Sequence, residues 1–200
     1  MTRKMTQLQA GLGGSMRQAG FAAALSACLL AWPAASWAQQ AGAVTGAVDM
    51  GQTLPDAKAV AEGLFPEDQC DQLKAAGFKC MGFKPSMRYS LPATSFKVGS
   101  ADLPDSLKRQ LEVFADVLRA RRGAGKVVRI EGHADASGNA DANKVLSQRR
   151  AEAVRDYLVE KGADGNMLAP VGVGANALKN AKDPFSAENR RVEIGRAETP

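Results

Sequence analysis

The chain has 200 residues, a formal net charge of +5 and 45% hydrophobic residues, which suits one modest domain with extensions. Its basic residues are scattered, with only Arg119–Arg122 forming a short cluster, and aromatic residues make up 6%. That distribution argues against a nucleic-acid partner.

The N-terminus carries Arg3, Lys4 and Arg17, no acidic residue before Asp49, and an apolar run from Phe21 to Ala35. The run is shorter than the about 20 residues a membrane-spanning helix needs. Small residues at Ser36 and Ala38 complete a secretory signal over residues 1–38, cut after Ala38. Leu25–Cys28 offers a competing lipidation signal that would leave an acylated Cys28. The apolar run continues past it through Leu29, Leu30 and Trp32, which favours cleavage at Ala38. Removing residues 1–38 takes away three basic residues and no acidic one, so the mature net charge falls to +2. The expected location is the periplasm. Only Cys70 and Cys80 remain after cleavage, and an oxidising compartment predicts that they form a disulfide.

Residues 39–65 open with Ala, Gly, Gln and Thr and offer little to bury, which predicts a flexible linker. Residues 66–86 read as one short helix, with Gly77 near its end, pinned by the Cys70–Cys80 bond. The main domain is expected over residues 87–200. Its first strand lies in the stretch that begins at Met87, with Pro92 implying an edge or irregular start. Leu107, Leu111, Phe114 and Leu118 mark one face of a helix that Gly123 follows. Lys126–His133 is a β-forming run, a second helix spans about Ala140 to Lys161 with Gly162 as its stop, and "MLAPVGVG" and "RRVEIGR" supply two more strands. The order β-α-β-α-β-β predicts an α+β fold, with helices packed on one face of a small mixed sheet.

On a helical wheel of the second helix, Leu146, Ala153, Val154, Tyr157 and Leu158 share one side. Arg150 lies in the middle of that stripe, Asn143 two turns earlier on the same side, and Arg149 at the rim. An inward guanidinium requires a carboxylate, because breaking a buried ion pair costs about 3–5 kcal/mol. Asp135, in the loop before this helix, is the natural candidate. Two readings stand at this point: an internal Asp135–Arg150 salt bridge, or a pocket with one anionic and one cationic wall for a zwitterionic ligand.

The segments "RIEGHADASGNADANKVLSQRRAEAVRDYLVEKG", "VGVGAN" and "NRRVEI" resemble the OmpA-like peptidoglycan-binding domain, from about Tyr89 to Ala197. The resemblance implies that Asp135, in the GH-x-D loop, binds the ammonium of a diaminopimelate side chain in the peptidoglycan stem peptide. It implies that Arg150 binds that residue's carboxylate and that Asn143 contributes to the same site. Ala134 departs from the threonine of many relatives, and the stretch around Phe96 keeps the family pattern only loosely. The fold expected from this likeness is the OmpA-like β-α-β-α-β-β sandwich.

No catalytic residue is assigned. His133 lacks a second histidine or a free nucleophile beside it, and zinc normally takes at least three protein ligands, so neither metal nor cofactor is expected. His133 is instead expected to pack at a strand end, hydrogen-bonding backbone. Gly132 is expected to allow close approach, Gly138 to make a turn, and Ser147 to bond backbone or support Arg150. Asn189 should lock the loop before the last strand, Arg190 should be structural, and Val192 and Ile194 should point inward with Arg191 and Glu193 outward. The predicted function is non-covalent anchoring of peptidoglycan to the outer envelope. The alternative is a lipidated module that docks other envelope proteins.

Overall fold

The computed structural model describes residues 46–81, 85–92, 96–97 and 99–197. The signal segment, the Ala38 cleavage position and Cys28 lie outside them.

Leu107, Leu111, Phe114 and Leu118 all point from α3 (Asp105–Arg119) into the core. Val154 and Leu158 do so from α4 (Ala140–Glu160), which ends at Gly162 with φ +101°. Both helices cover a sheet of five strands: β1 (Val48–Asp49), β2 (Arg88–Pro92), β3 (Val128–His133), β4 (Leu168–Gly174) and β5 (Arg191–Arg196). Their spatial order is β1-β2-β5-β3-β4. The β1–β2 and β3–β4 pairs are parallel, whereas β5 runs antiparallel to both β2 and β3. From Arg88 onward the order is β-α-β-α-β-β in a mixed α+β arrangement, as the pattern implied.

Gly132 and Gly172 set how closely α4 approaches. A Cβ on Gly132 would run into the Ser147 carbonyl oxygen, and one on Gly172 would stand 2.5 Å from the Gln148 amide nitrogen. The absent side chains let the helix lie on β3 and β4, which fixes where the N-terminal turns of α4 meet the end of β3.

Two expectations change. Residues 39–65 were read as a flexible linker, yet the described part, from Gly46, contains β1 and a helix, α1 (Ala57–Leu64), capped by the Asp56 carboxylate on the Ala59 amide at 2.9 Å. Val60, Leu64 and Phe65 are buried in the core, and Gln110 Nε2 donates to the Gly51 and Thr53 carbonyls. Three well-placed apolar residues suffice to dock a short helix whose other positions are Ala, Gly and charged residues. The alternation of "NRRVEI" fits an edge or penultimate strand, but the last strand lies third of five, flanked by β2 and β3. Its Val192 and Ile194 do face the core, while Arg191 and Glu193 face the other way and are nonetheless buried.

The next helix, α2 (Glu67–Ala75), buries none of its residues. Its Glu67 pairs with Arg196 at 2.5 Å and its Asp68 with Arg121 at 2.5 Å, and both guanidiniums lie over the Phe65 ring. The Cys70–Cys80 disulfide, with Cα atoms 5.3 Å apart, closes the following turn.

Candidate functional site

The loop between β3 and α4 is built by its own side chains. Asp135 Oδ1 accepts the Ser137 amide at 3.0 Å and the Ser137 hydroxyl. Gly138 takes φ +77°, and Asn139 caps α4 by accepting the Ala142 amide at 3.0 Å. Asn143 spends both N–H groups on this loop, donating to the carbonyls of Asp135 at 3.2 Å and Ser137 at 2.7 Å. It therefore braces the loop whatever else it touches. Ser147 likewise serves the backbone, donating to the Lys144 carbonyl and accepting the Gly174 amide.

The Asp135–Arg150 salt bridge, one of the two readings above, is not made. Asp135 Oδ2 accepts instead from Arg190 Nη1 at 2.6 Å. Arg150 is 4% exposed and has no carboxylate partner among the described residues. Its Nε donates to the Ser100 carbonyl at 3.0 Å, its Nη2 to the Lys97 carbonyl at 3.4 Å, and its guanidinium lies 4.8 Å from the centre of the Phe96 ring. Burial and the neighbouring Arg190 charge make the Arg150 cation costlier, while Asp135 favours it. For Asp135, burial pushes the carboxyl up, but the Ser137 hydrogen bonds and the Arg190 guanidinium outweigh it and hold the group below its usual range. Both groups are therefore charged at neutral pH.

These residues line one cavity of about 560 Å³, walled by Phe96, Asp135, Asn143, Leu146, Arg150 and Arg190 among others. Two guanidiniums and one carboxylate converge there. The structure places Asp135, Asn143 and Arg150 around one cavity, and Arg190, expected to be structural, lines it as well while holding the Asp135 carboxylate. Arg190 comes from the start of β5, and no local spacing links it to Asp135, 55 residues earlier. Asn189, its neighbour, locks the loop as expected: its side chain accepts the Asn180 amide and donates to the carbonyls of Asp183 and Pro184.

His133 differs from expectation. Neither ring nitrogen has a hydrogen-bond partner, so it does not bond backbone. The ring is buried on the sheet face away from the helices, with Nε2 3.6 Å from Glu131 and 4.0 Å from Glu193. Among the described residues, Glu131, His133 and Glu193 form the one set whose spacing could hold a metal ion. All four carboxylate oxygens are already engaged, however. Glu131 pairs with Arg88 and with Arg129 at 2.6 Å, and Glu193 pairs with Arg88 at 2.9 Å and Arg191 at 2.6 Å. Three guanidiniums facing two carboxylates leave no negative charge to attract a cation.

The OmpA family's sequence profile matches residues 95–191. The peptidoglycan-associated lipoprotein of Pseudomonas aeruginosa is 39% identical over 101 residues, 50% of this chain and 58% of that protein. The peptidoglycan-binding protein ArfA of Mycobacterium bovis is 44% identical over 86 residues, 42% of this chain and 26% of that one. A crystal structure of the peptidoglycan-associated lipoprotein from Burkholderia pseudomallei aligns with a TM-score of 0.46 at 26% identity, covering 52% of this chain and 87% of that one. The chain thus spans little more than half the length of the first curated relatives it matches.

Proposed function

We propose, from the premise that residues 95–191 make this chain a member of the OmpA family, that it binds peptidoglycan non-covalently and tethers the cell wall to the outer envelope. One observation carries the reading: Arg150 is a buried cation with no carboxylate partner among the described residues, and it shares a cavity with an ionised Asp135. A ligand bearing both a carboxylate and an ammonium complements the two groups. The diaminopimelate side chain of the stem peptide presents that pair on one carbon. Charge-assisted hydrogen bonds of this kind contribute about 1.5–3 kcal/mol each, a modest affinity that repeated wall sites would multiply by avidity.

The names of the relatives, one called peptidoglycan-associated and one peptidoglycan-binding, support the same partner. An envelope location follows from that partner, with export by the N-terminal signal. The reading is one of binding: the pocket offers opposite charges placed for recognition. The test is sedimentation with purified peptidoglycan. Asp135→Ala and Arg150→Ala should both stay in the supernatant while keeping the wild-type circular dichroism spectrum. Co-sedimentation of both variants with the wall would remove the pocket assignment.

A further inference from the structure

The stripe Ala142–Leu146–Arg150 on α4 lines the pocket described above. Beside it runs a second stripe of the same spacing, Asp141–Val145–Arg149, which lines a shallower cavity of about 440 Å³. The two cavities share Gly99, Ala142 and Leu146 as a common wall, so one ligand can occupy both. Val145 is a large apolar side chain left 51% exposed on the floor of the second cavity. Arg149 is exposed and has no hydrogen-bond or ion-pair partner among the described residues. The one acidic residue a helical turn away, Glu152, instead accepts from Gln148 Nε2 at 2.8 Å.

We infer that this second cavity is a subsite for a residue adjoining the diaminopimelate in the stem peptide, with Arg149 binding that residue's free carboxylate. The inference rests on the peptidoglycan reading above and deepens it. The zwitterionic end of diaminopimelate is a full side chain away from its backbone α-carbon, so seating that end at Arg150 leaves the backbone, and the residue joined to it, to cross the shared wall of Gly99, Ala142 and Leu146. Val145 supplies apolar contact for that neighbour's short side chain. Asp141, two turns toward the N-terminus on the same stripe, repels a carboxylate and so directs the anion to the Arg149 end. Two neighbours carry such a carboxylate: the γ-linked D-glutamate before diaminopimelate, through its α-carboxylate, and a terminal D-alanine after it.

Calorimetric titration of the full chain with three ligands decides the matter: free meso-diaminopimelate, the tripeptide ending in diaminopimelate, and the tetrapeptide ending in D-alanine. Arg149→Gln should leave affinity for the free amino acid unchanged and lower affinity for the longer ligands about fivefold, the size expected of an exposed charge pair. A loss already present with the tripeptide identifies the D-glutamate carboxylate, and a loss confined to the tetrapeptide identifies the terminal D-alanine. Equal affinities of wild type and Arg149→Gln for all three overturn the subsite. So does an equal loss from Lys144→Gln, an exposed cation of the same helix outside both cavities, because the effect would then be one of general field. Failure of the wild type to bind any of the three overturns the peptidoglycan reading itself, and the subsite with it.

Discussion

Two clusters of buried charge lie at opposite sides of the same strands. On the helix-free face, Arg88, Arg129 and Arg191 saturate Glu131 and Glu193 beside His133. At the end of β3, Asp135 is shared by Ser137 and Arg190, while Arg150 is held, among the described residues, by two carbonyls and a ring face. The first cluster holds more charge, yet every oxygen is satisfied internally. In the second, Arg150 has no carboxylate partner among the described residues, and the group opens into a cavity. A site announces itself by the partner it lacks rather than by the number of ionisable groups it gathers.

That contrast can be broken experimentally. The largest effect is expected from Glu131→Ala, which strips Arg129 of its carboxylate and leaves Arg88 with Glu193 alone. It should cost about 3–5 kcal/mol of stability, measured by urea unfolding, with little change in ligand affinity for the molecules that remain folded. Acid should act on the same cluster. Burial raises the Glu131 carboxyl, but the neighbouring His133 ring and the Arg88 and Arg129 guanidiniums bring it down from 4.5 to about 2; at 3.6 Å His133 is too distant for a good hydrogen bond, so the arginines carry the lowering. A depressed folded-state value gives stability that is present above pH 4.5 and lost as pH falls from there toward 2. The loss amounts to about 3 kcal/mol, visible as a falling midpoint in thermal melts across that window. Glu131→Gln should flatten this dependence.

In the pocket the order of effects reverses. Arg150→Ala should weaken diaminopimelate binding by about 1.5–3 kcal/mol while changing the unfolding midpoint far less than Glu131→Ala does. A large stability loss with unchanged binding would make the two clusters alike and remove the distinction. Smallest is Asn143→Ala, which releases two loop carbonyls; about 1 kcal/mol of binding should be lost, accompanied by faster amide exchange at Ser137 and Gly138.

Much of the frame was legible because periodicity reports burial directly. Leu107, Leu111, Phe114 and Leu118 fixed α3, and the displacement of Arg150 into an apolar stripe pointed to the pocket. Arg190 was not legible, since its bond to Asp135 depends on β5 lying beside β3, and pairing between distant strands leaves no local spacing. Arg191 and Glu193 alternated as solvent-facing residues would, and only the assembled sheet shows them buried among like neighbours. The segment from Gly46 to Phe65 misled for the opposite reason: Val60, Leu64 and Phe65 are too few to dominate a small-residue background, yet they all land in the core.

The strand order carries a mechanical consequence. The described chain enters beside β1, at one edge of the sheet, while Asp135 hangs from the end of β3, three ladders away. A pull applied between Gly46 and a ligand seated in the pocket is shared across the β2–β5 and β5–β3 ladders, five and six residue pairs deep. The two-residue β1–β2 ladder then becomes the fuse, peeling first and lengthening the connection before the sheet that shapes the pocket feels the load.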